Sequence, residues 1–192
     1  MSLVPFRRGA VLLGLAAVGL VVASAGQAAL RKLDFVELVD TARSIVHGRV
    51  VETRSFFADW SSPGDAIIVT EVVLEPITVL KGGDPGERVV FRIPGGKVGE
   101  LEVVASEAPL VLPAGEVLVF LAHHELGFDY VYAHWQGKYD VVTSVDPAGD
   151  RRVKGLQGAP IARDVSLPDL AVSVRTAMAK AAKARAEREE GQ

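Results

Sequence analysis

The tetrapeptide His124-Glu125-Leu126-Gly127 comes nearest in this chain to a known catalytic motif. It matches the start of the H-E-x-x-H signature, in which two histidines four residues apart on a helix hold zinc while the glutamate activates water. Phe128 occupies the position of the second histidine, so one metal ligand is missing. The tetrapeptide also follows an apolar run and ends in glycine, which predicts a turn at the end of a strand. We therefore expect no metalloprotease activity.

A looser metal site could be built from imidazole and carboxylate groups, which are ligands of zinc and copper. The candidates lie in one short segment: His123, His124, Glu125, Asp129 and His134. Adjacent histidines on a strand point to opposite faces, and no second group of ligands accompanies them. We therefore predict surface histidines at a strand end, with no metal and no cofactor. A small metal-binding or hydrolytic enzyme that uses His123, His124, Glu125 and His134 is the alternative.

Other catalytic arrangements have less support in the sequence. The chain contains no cysteine, so a thiol nucleophile is excluded. Its serines lack the context of a nucleophile elbow. Two glycine-rich segments, residues 81–83 and 94–97, lack the Gly-Lys-Ser/Thr ending of a phosphate-binding loop and are interpreted as turns. The chain is predicted to be a non-enzymatic protein without catalytic residues.

Three aromatic residues form the predicted binding site. Phe56, Phe57 and Trp60 are expected in the loop after the first strand. Aromatic side chains give a large contact area at a modest cost in conformational entropy, so they often anchor partners. The same three residues could instead cover one end of a barrel, and both interpretations stay open. Trp135, further along the chain, is expected in the core.

The segments before these aromatic residues show two different periodicities. Residues 34–43 start with the Asp-x-x-Glu spacing of a capping box and repeat apolar residues at helical spacing, which predicts a short helix. From Ser44 the period changes to two, which predicts a strand bent at Gly48.

Short strands separated by turns are predicted for most of the remaining chain, as in a small sandwich or barrel. Pro76 should mark an edge or a bulge, and the unbroken apolar residues 117–122 a central strand covered on both sides. The predicted strands include residues 67–80, 89–93, 117–122, 130–135, 138–145 and 152–156, with 130–135 and 138–145 joined as a hairpin around Gln136-Gly137.

A helix is predicted at the carboxy-terminal end of the chain. Ser166 and Pro168 are a plausible cap and early-turn proline. Its apolar face is expected to pack on the barrel for three turns before a charged end enters solvent; that face consists of Leu167, Leu170, Val174, Ala177, Met178 and Ala181.

The amino-terminal end has the features of a secretory signal peptide. Arg7 and Arg8 precede an uncharged apolar run, residues 10–25, which ends in small residues. Ala23-Ser24-Ala25 and Gly26-Gln27-Ala28 both fit signal peptidase, and cleavage there would leave about 165 residues, enough for one domain. The predicted organisation is a signal peptide at 1–28, a β-barrel domain at 29–165, and a helix with a charged tail at 166–192.

Composition limits the partners of the mature chain. Residues 1–28 hold two arginines and no acidic residue, so their removal takes the net charge from −3 to −5. A negative charge argues against nucleic acid or an anionic membrane as partner. The absence of cysteine means that the exported domain depends on its core without disulfides.

The order of several short motifs resembles a group of uncharacterised secreted bacterial proteins and, more distantly, the netrin and metalloproteinase-inhibitor (NTR-like) module. The resemblance covers Phe35 to Tyr139. The matching pieces are residues 42–50, Leu80-Lys81-Gly82, Pro94-Gly95-Gly96, residues 115–121 and Gln136-Gly137-Lys138-Tyr139. It implies a mainly β, OB-like barrel whose function is binding through loops and one sheet face. The inhibitory mechanism of the eukaryotic members does not carry over, because it requires an amino-terminal cysteine.

We therefore predict an exported, periplasmic or extracellular, non-catalytic binding domain. Its expected partner is another exported protein, for example a peptidase. Contact with the membrane is expected only through the signal peptide.

Overall fold

The structure is a computed structural model that describes residues 31–144, 149–156, 158–161 and 164–190. The predicted signal peptide and Val145 of the predicted hairpin lie outside the described residues. The described part is mainly β, with one short helix before the sheet and one long helix after it.

The first helix, α1 (Phe35–Thr41), starts where the capping box predicts. Asp34 is the N-cap, and its Oδ1 accepts a hydrogen bond from the Glu37 amide at 2.8 Å. At the other end, Lys81 Nζ donates to the carbonyl oxygens of Val39 and Asp40 at 2.6 and 2.8 Å. A side-chain cation thus satisfies carbonyl groups that the end of a helix leaves unpaired.

In the described part of the chain ten strands follow α1, and eight of them form one sheet. They are β1 (Ser44–Asp59), β2 (Ala66–Lys81), β3 (Val89–Pro94), β4 (Gly96–Val98), β5 (Leu101–Val103), β6 (Glu116–His123), β7 (Asp129–Val131), β8 (Lys138–Thr143), β9 (Arg151–Lys154) and β10 (Val165–Ser166). Strands β4 and β5 form a separate hairpin.

Five strands form a ring in the order β1, β2, β3, β7, β6, because β6 pairs with β1 as well as with β7. The contact between β3 and β7 is parallel and consists of Arg92 opposite Tyr130. Because β3 and β7 are joined at one residue pair, the ring is only partly closed. This agrees with the predicted small OB-like barrel. Strands β8, β9 and β10 continue the sheet beyond the ring.

The predicted hairpin around Gln136-Gly137 is wrong. Strands β7 and β8 do not pair with each other but follow one another along the same edge of β6. A 3₁₀ turn, His134–Gly137, separates them. Trp135 lies in this turn and is half-buried instead of fully buried. The glycine produces a break in one strand and not a reversal of the chain, since β6 offers both segments the same antiparallel edge.

The sheet has an apolar core on each side, and β6 contributes to both. Val117, Val119 and Leu121 point into the barrel, whereas Leu118 and Phe120 point toward the helices. This explains why residues 117–122 are apolar without alternation, and it confirms the prediction of a central, doubly covered strand. Pro76 lies opposite Gly48 at an irregularity in the pairing of β1 with β2, beyond the part of β2 that pairs with β3, as predicted.

The second helix, α2 (Leu167–Glu190), covers the outer core. Leu170, Val174, Ala177 and Ala181 are buried, as predicted, while Met178 is exposed. Arg185 Nη2 donates to Asp40 Oδ1 at 2.6 Å, which links α2 to α1. Within the described residues, no helix combines the length and the apolar character that a membrane span requires.

Candidate functional site

Two turns bring aromatic residues together at one end of the barrel. Trp60 lies directly after β1, and the turn between β6 and β7 contributes His124 and Phe128, followed by Tyr130 on β7. The Trp60 ring centroid lies 5.3 Å from that of Phe128, 6.3 Å from His124 and 6.4 Å from Tyr130. We call Trp60, His124, Phe128 and Tyr130 the aromatic cluster. These distances fall in the range over which aromatic pairs attract one another.

The turn that carries His124 has hairpin geometry and not the helical geometry of a zinc-protease motif. The His124 amide donates to the Phe128 carbonyl at 2.8 Å, and the Gly127 amide donates to the His124 carbonyl at 2.9 Å. Gly127 has φ +84°, the left-handed conformation that closes a three-residue hairpin loop. Phe128 therefore stacks on the His124 ring, with centroids 4.6 Å apart and planes at 4°. The residue in place of the second histidine is an aromatic packing partner.

Phe56 and Phe57 do not lie in a loop, so that part of the aromatic prediction is wrong. Both belong to β1, where they pair with Val69 and Ile68 of β2. The strand continues to Asp59 because β2 offers partners along its whole length, which a local pattern does not reveal. Successive residues of a strand face opposite sides. Arg92 contacts the rings of both Phe56 and Phe128, so Phe56 lies on the same side of the sheet as the aromatic cluster. Phe57 points to the opposite side and is 54% exposed.

Arg92 of β3 connects these aromatic rings. Its guanidinium carbon lies 4.9 Å from the Phe128 ring centroid and 5.3 Å from that of Phe56. Its Nε lies 3.7 Å from Glu71 Oε2. A guanidinium held over two aromatic faces keeps its charge while its position is restricted. The site thus combines an apolar surface with one fixed cation.

A shallow cleft of about 180 Å³ opens beside the aromatic cluster. Its walls come from the cluster, from β3 and from the segment that follows β5. The lining residues are Trp60, Arg92, Ile93, Pro94, Pro109, His124, Tyr130, Val131 and His134. Aromatic rings, prolines and a few polar groups are the usual lining of a site that takes an extended or ring-shaped ligand.

The histidines of the alternative metal site are distributed over different surroundings. His123 Nδ1 lies 2.7 Å from Asp129 Oδ1, and Arg43 also reaches this carboxylate at 3.4 Å. His124 Nδ1 accepts a hydrogen bond from the Leu126 amide at 3.2 Å. Glu125 and His134 are exposed. Among residues 31–144 and the other described segments, no three histidines or acidic residues are grouped so that they could hold a metal ion.

A second polar site, which the sequence analysis did not identify, lies on the outer face of the barrel. His47 of β1 is fully buried, and its Nε2 lies 3.2 Å from Glu116 Oε2 of β6. Arg151 Nε donates to the same oxygen at 2.9 Å, while Arg49 and Arg151 reach Oε1 at 3.3 and 3.4 Å. The sequence carried no signal for it because the histidine and the glutamate are 69 residues apart.

The charges of this second site shift the ionisation of both central groups. The Arg151 guanidinium, followed by Arg49 and His47, lowers the pKa of Glu116 to about 2. Burial lowers the pKa of His47, against the opposing effect of Glu116. The site is therefore a carboxylate held by two arginines beside a neutral histidine at pH 7.

The sequence matches no model of a protein family and no curated protein.

Proposed function

We propose that the protein is an exported, non-catalytic binding domain that captures another exported protein at the aromatic cluster. The observation that carries the proposal is the cleft beside Trp60, His124 and Tyr130, at the end of the barrel where the β1–β2 and β6–β7 turns meet. Large rigid rings around a small cleft are typical of the anchor points of protein interfaces.

Two further features support binding in preference to catalysis. The imidazole of His124 stacks on Phe128, and its Nδ1 already accepts a hydrogen bond from the Leu126 amide. The rings of the aromatic cluster support one another, so little side-chain entropy is lost when a partner contacts them. A resemblance to the NTR-like module is part of the same proposal, because its members bind partners through loops of a comparable barrel.

Crosslinking in the producing cells tests this proposal. The chain is made with its own leader and a carboxy-terminal tag, crosslinked in the envelope and culture fractions, and purified. The test variant is Trp60→Ser. The matched control is Phe57→Ser, which removes an exposed aromatic side chain of β1 that points away from the aromatic cluster.

We expect one exported protein to be enriched with the wild type. Its recovery should fall at least tenfold with Trp60→Ser and stay unchanged with Phe57→Ser. Because Trp60 also packs on Phe128, a second variant, His134→Glu, changes the charge of an exposed residue of the cleft without removing packing. Thermal unfolding of each variant verifies its fold. Equal recovery of the partner with the wild type and with folded Trp60→Ser and His134→Glu variants would overturn the proposal.

A further inference from the structure

Strand β5 leaves an unpaired edge on the surface of the protein. In the described part of the chain β5 pairs only with β4, in a hairpin outside the main sheet. Gly95, at the base of this hairpin, donates its amide to the Ile68 carbonyl at 2.8 Å, and its carbonyl accepts from Thr70 Oγ1 at 2.7 Å. The hairpin is therefore anchored to β2, while its outer strand offers backbone groups to solvent.

The exposed side chains around this edge are apolar and acidic. Val104 is 85% exposed and Leu110 72% exposed. Leu101 and Val103 are exposed as well, and they share one face of β5. Glu102 points to the other face, and Glu100 and Glu107 flank the strand. Residues 97–112 contain these three glutamates and one basic residue, Lys97. Lys97 lies opposite Glu102 in the hairpin register.

We propose that β5 binds an extended segment of an exported partner protein by strand addition, and that apolar and basic residues alternate in this segment. Strand addition satisfies the unpaired backbone groups of an edge, and alternate side chains provide specificity. Apolar residues of the segment lie beside Leu101 and Val103, and its lysine or arginine residues lie beside Glu100 and Glu102.

A second copy of this chain is a poor occupant of the same edge. Antiparallel pairing of two β5 strands about a two-fold axis at Glu102 would place this carboxylate opposite itself. Like charges directly opposite each other destabilise a strand pair. The edge therefore discriminates against self-association and favours a basic segment.

The edge is also connected to the cleft beside the aromatic cluster. The chain leads from β5 to Pro109, which lines the cleft, and the amide of Trp135, the neighbour of the lining residue His134, donates to the Glu107 carbonyl at 3.2 Å. The inference rests on the proposed function, since it names the part of a partner's chain that this domain recognises.

A synthetic peptide of about six residues with alternating lysine and valine tests the inference, because it matches the length of an ordinary strand. The exported chain is titrated against the fluorescent peptide. A peptide of the same composition, with all lysines before all valines, is the control for register. Glu102→Lys is the test variant, and Glu189→Lys makes the same charge change at the exposed end of α2.

The alternating peptide is expected to bind at least tenfold more tightly than the block peptide. Glu102→Lys should weaken this binding about tenfold, and Glu189→Lys should change it less than twofold. The hairpin register turns the Glu102 amide away from β4, so hydrogen exchange at this amide should slow when the peptide binds. Equal binding of both peptides, equal effects of the two variants, or unchanged exchange at the Glu102 amide would overturn the inference.

The two proposals can fail separately. If crosslinking to the cellular partner is lost with Trp60→Ser while the peptide gives any of the overturning results, the binding function stands and strand addition at β5 is wrong. If the peptide binds as expected but no partner depends on Trp60, the aromatic cluster is not the anchor and the proposed function falls.

Discussion

At the scale of single residues, His47 and Glu116 show how burial and charge act together. A buried histidine beside a carboxylate could be either charged or neutral. Here two arginines already balance the carboxylate, and burial outweighs its attraction for the imidazolium, so the pKa of His47 falls. The same arginines hold the pKa of Glu116 at about 2.

These shifts predict that the protein loses stability in acid in two stages. The folded His47 binds its proton at a lower pH than the unfolded one, whose pKa is 6.5, so the free energy of unfolding decreases as pH falls below 6.5. Glu116 adds a second decrease as pH falls from 4.5 toward 2, since the unfolded carboxylate is protonated first. Both contributions are fully present above pH 6.5. Urea unfolding between pH 8 and pH 3 measures the two slopes.

Variants assign the stages to the two residues. His47→Leu should remove the slope just below pH 6.5, and Glu116→Gln the slope below pH 4.5. His134→Gln changes an exposed histidine and should leave both slopes as they are. An unaltered upper slope in His47→Leu would contradict the assignment.

At the scale of elements, the break between β7 and β8 depends on a close backbone approach. A Cβ atom on Gly137 would lie 1.9 Å from the Tyr132 carbonyl oxygen. No side chain fits there without moving the 3₁₀ turn. Because of this 3₁₀ turn, both β7 and β8 pair with the same edge of β6. Strand β7 also carries Tyr130 of the aromatic cluster.

Gly137→Ala is therefore expected to destabilise the protein by about 1–3 kcal/mol, the usual cost of overpacking. Gly83→Ala is the matched control, because nothing lies within 4 Å of the added methyl group. It should change the free energy of unfolding by no more than about 0.5 kcal/mol. Denaturant midpoints measure both effects, and equal midpoints for the two variants would show that the approach at Gly137 can relax.

At the scale of the whole molecule, one sheet joins two apolar cores. The inner core fills the barrel, the outer core lies under α1 and α2, and β6 belongs to both. A strand shared by two cores couples them, so neither should unfold alone. The aromatic cluster and the β5 edge are thus attached to a single cooperative unit.

Truncations on the two faces of β6 test this coupling. Leu118→Ala opens a cavity in the outer core and Leu121→Ala in the inner core, each at a cost of about 2–5 kcal/mol. Each variant should lower one common transition, seen alike in far-UV and near-UV circular dichroism. Leu112→Ala, at an exposed position, should have little effect. Two separate transitions in either core variant would mean that the cores unfold independently.

The local features of the fold were predictable from the sequence. The cap at Asp34, the strand from Ser44, the irregularity at Pro76 and the buried residues of α2 each depend on residues close in the chain. Two errors, the loop at Phe56 and the hairpin at Gly137, came from features that depend on a distant partner strand. The role of Phe128 was hidden for the same reason, because only the hairpin register places its ring on His124.

The sequence by itself determined where the two helices and most of the strands lie and most of their buried positions, since periodicity records the environment of each residue along one element. Only the tertiary structure decided which elements meet. It brings Trp60 to Phe128, His47 to Glu116, and leaves β5 without an outer neighbour. The reason is physical: strand order and register arise from burying whole faces together, and these long-range pairings create sites that no local pattern contains.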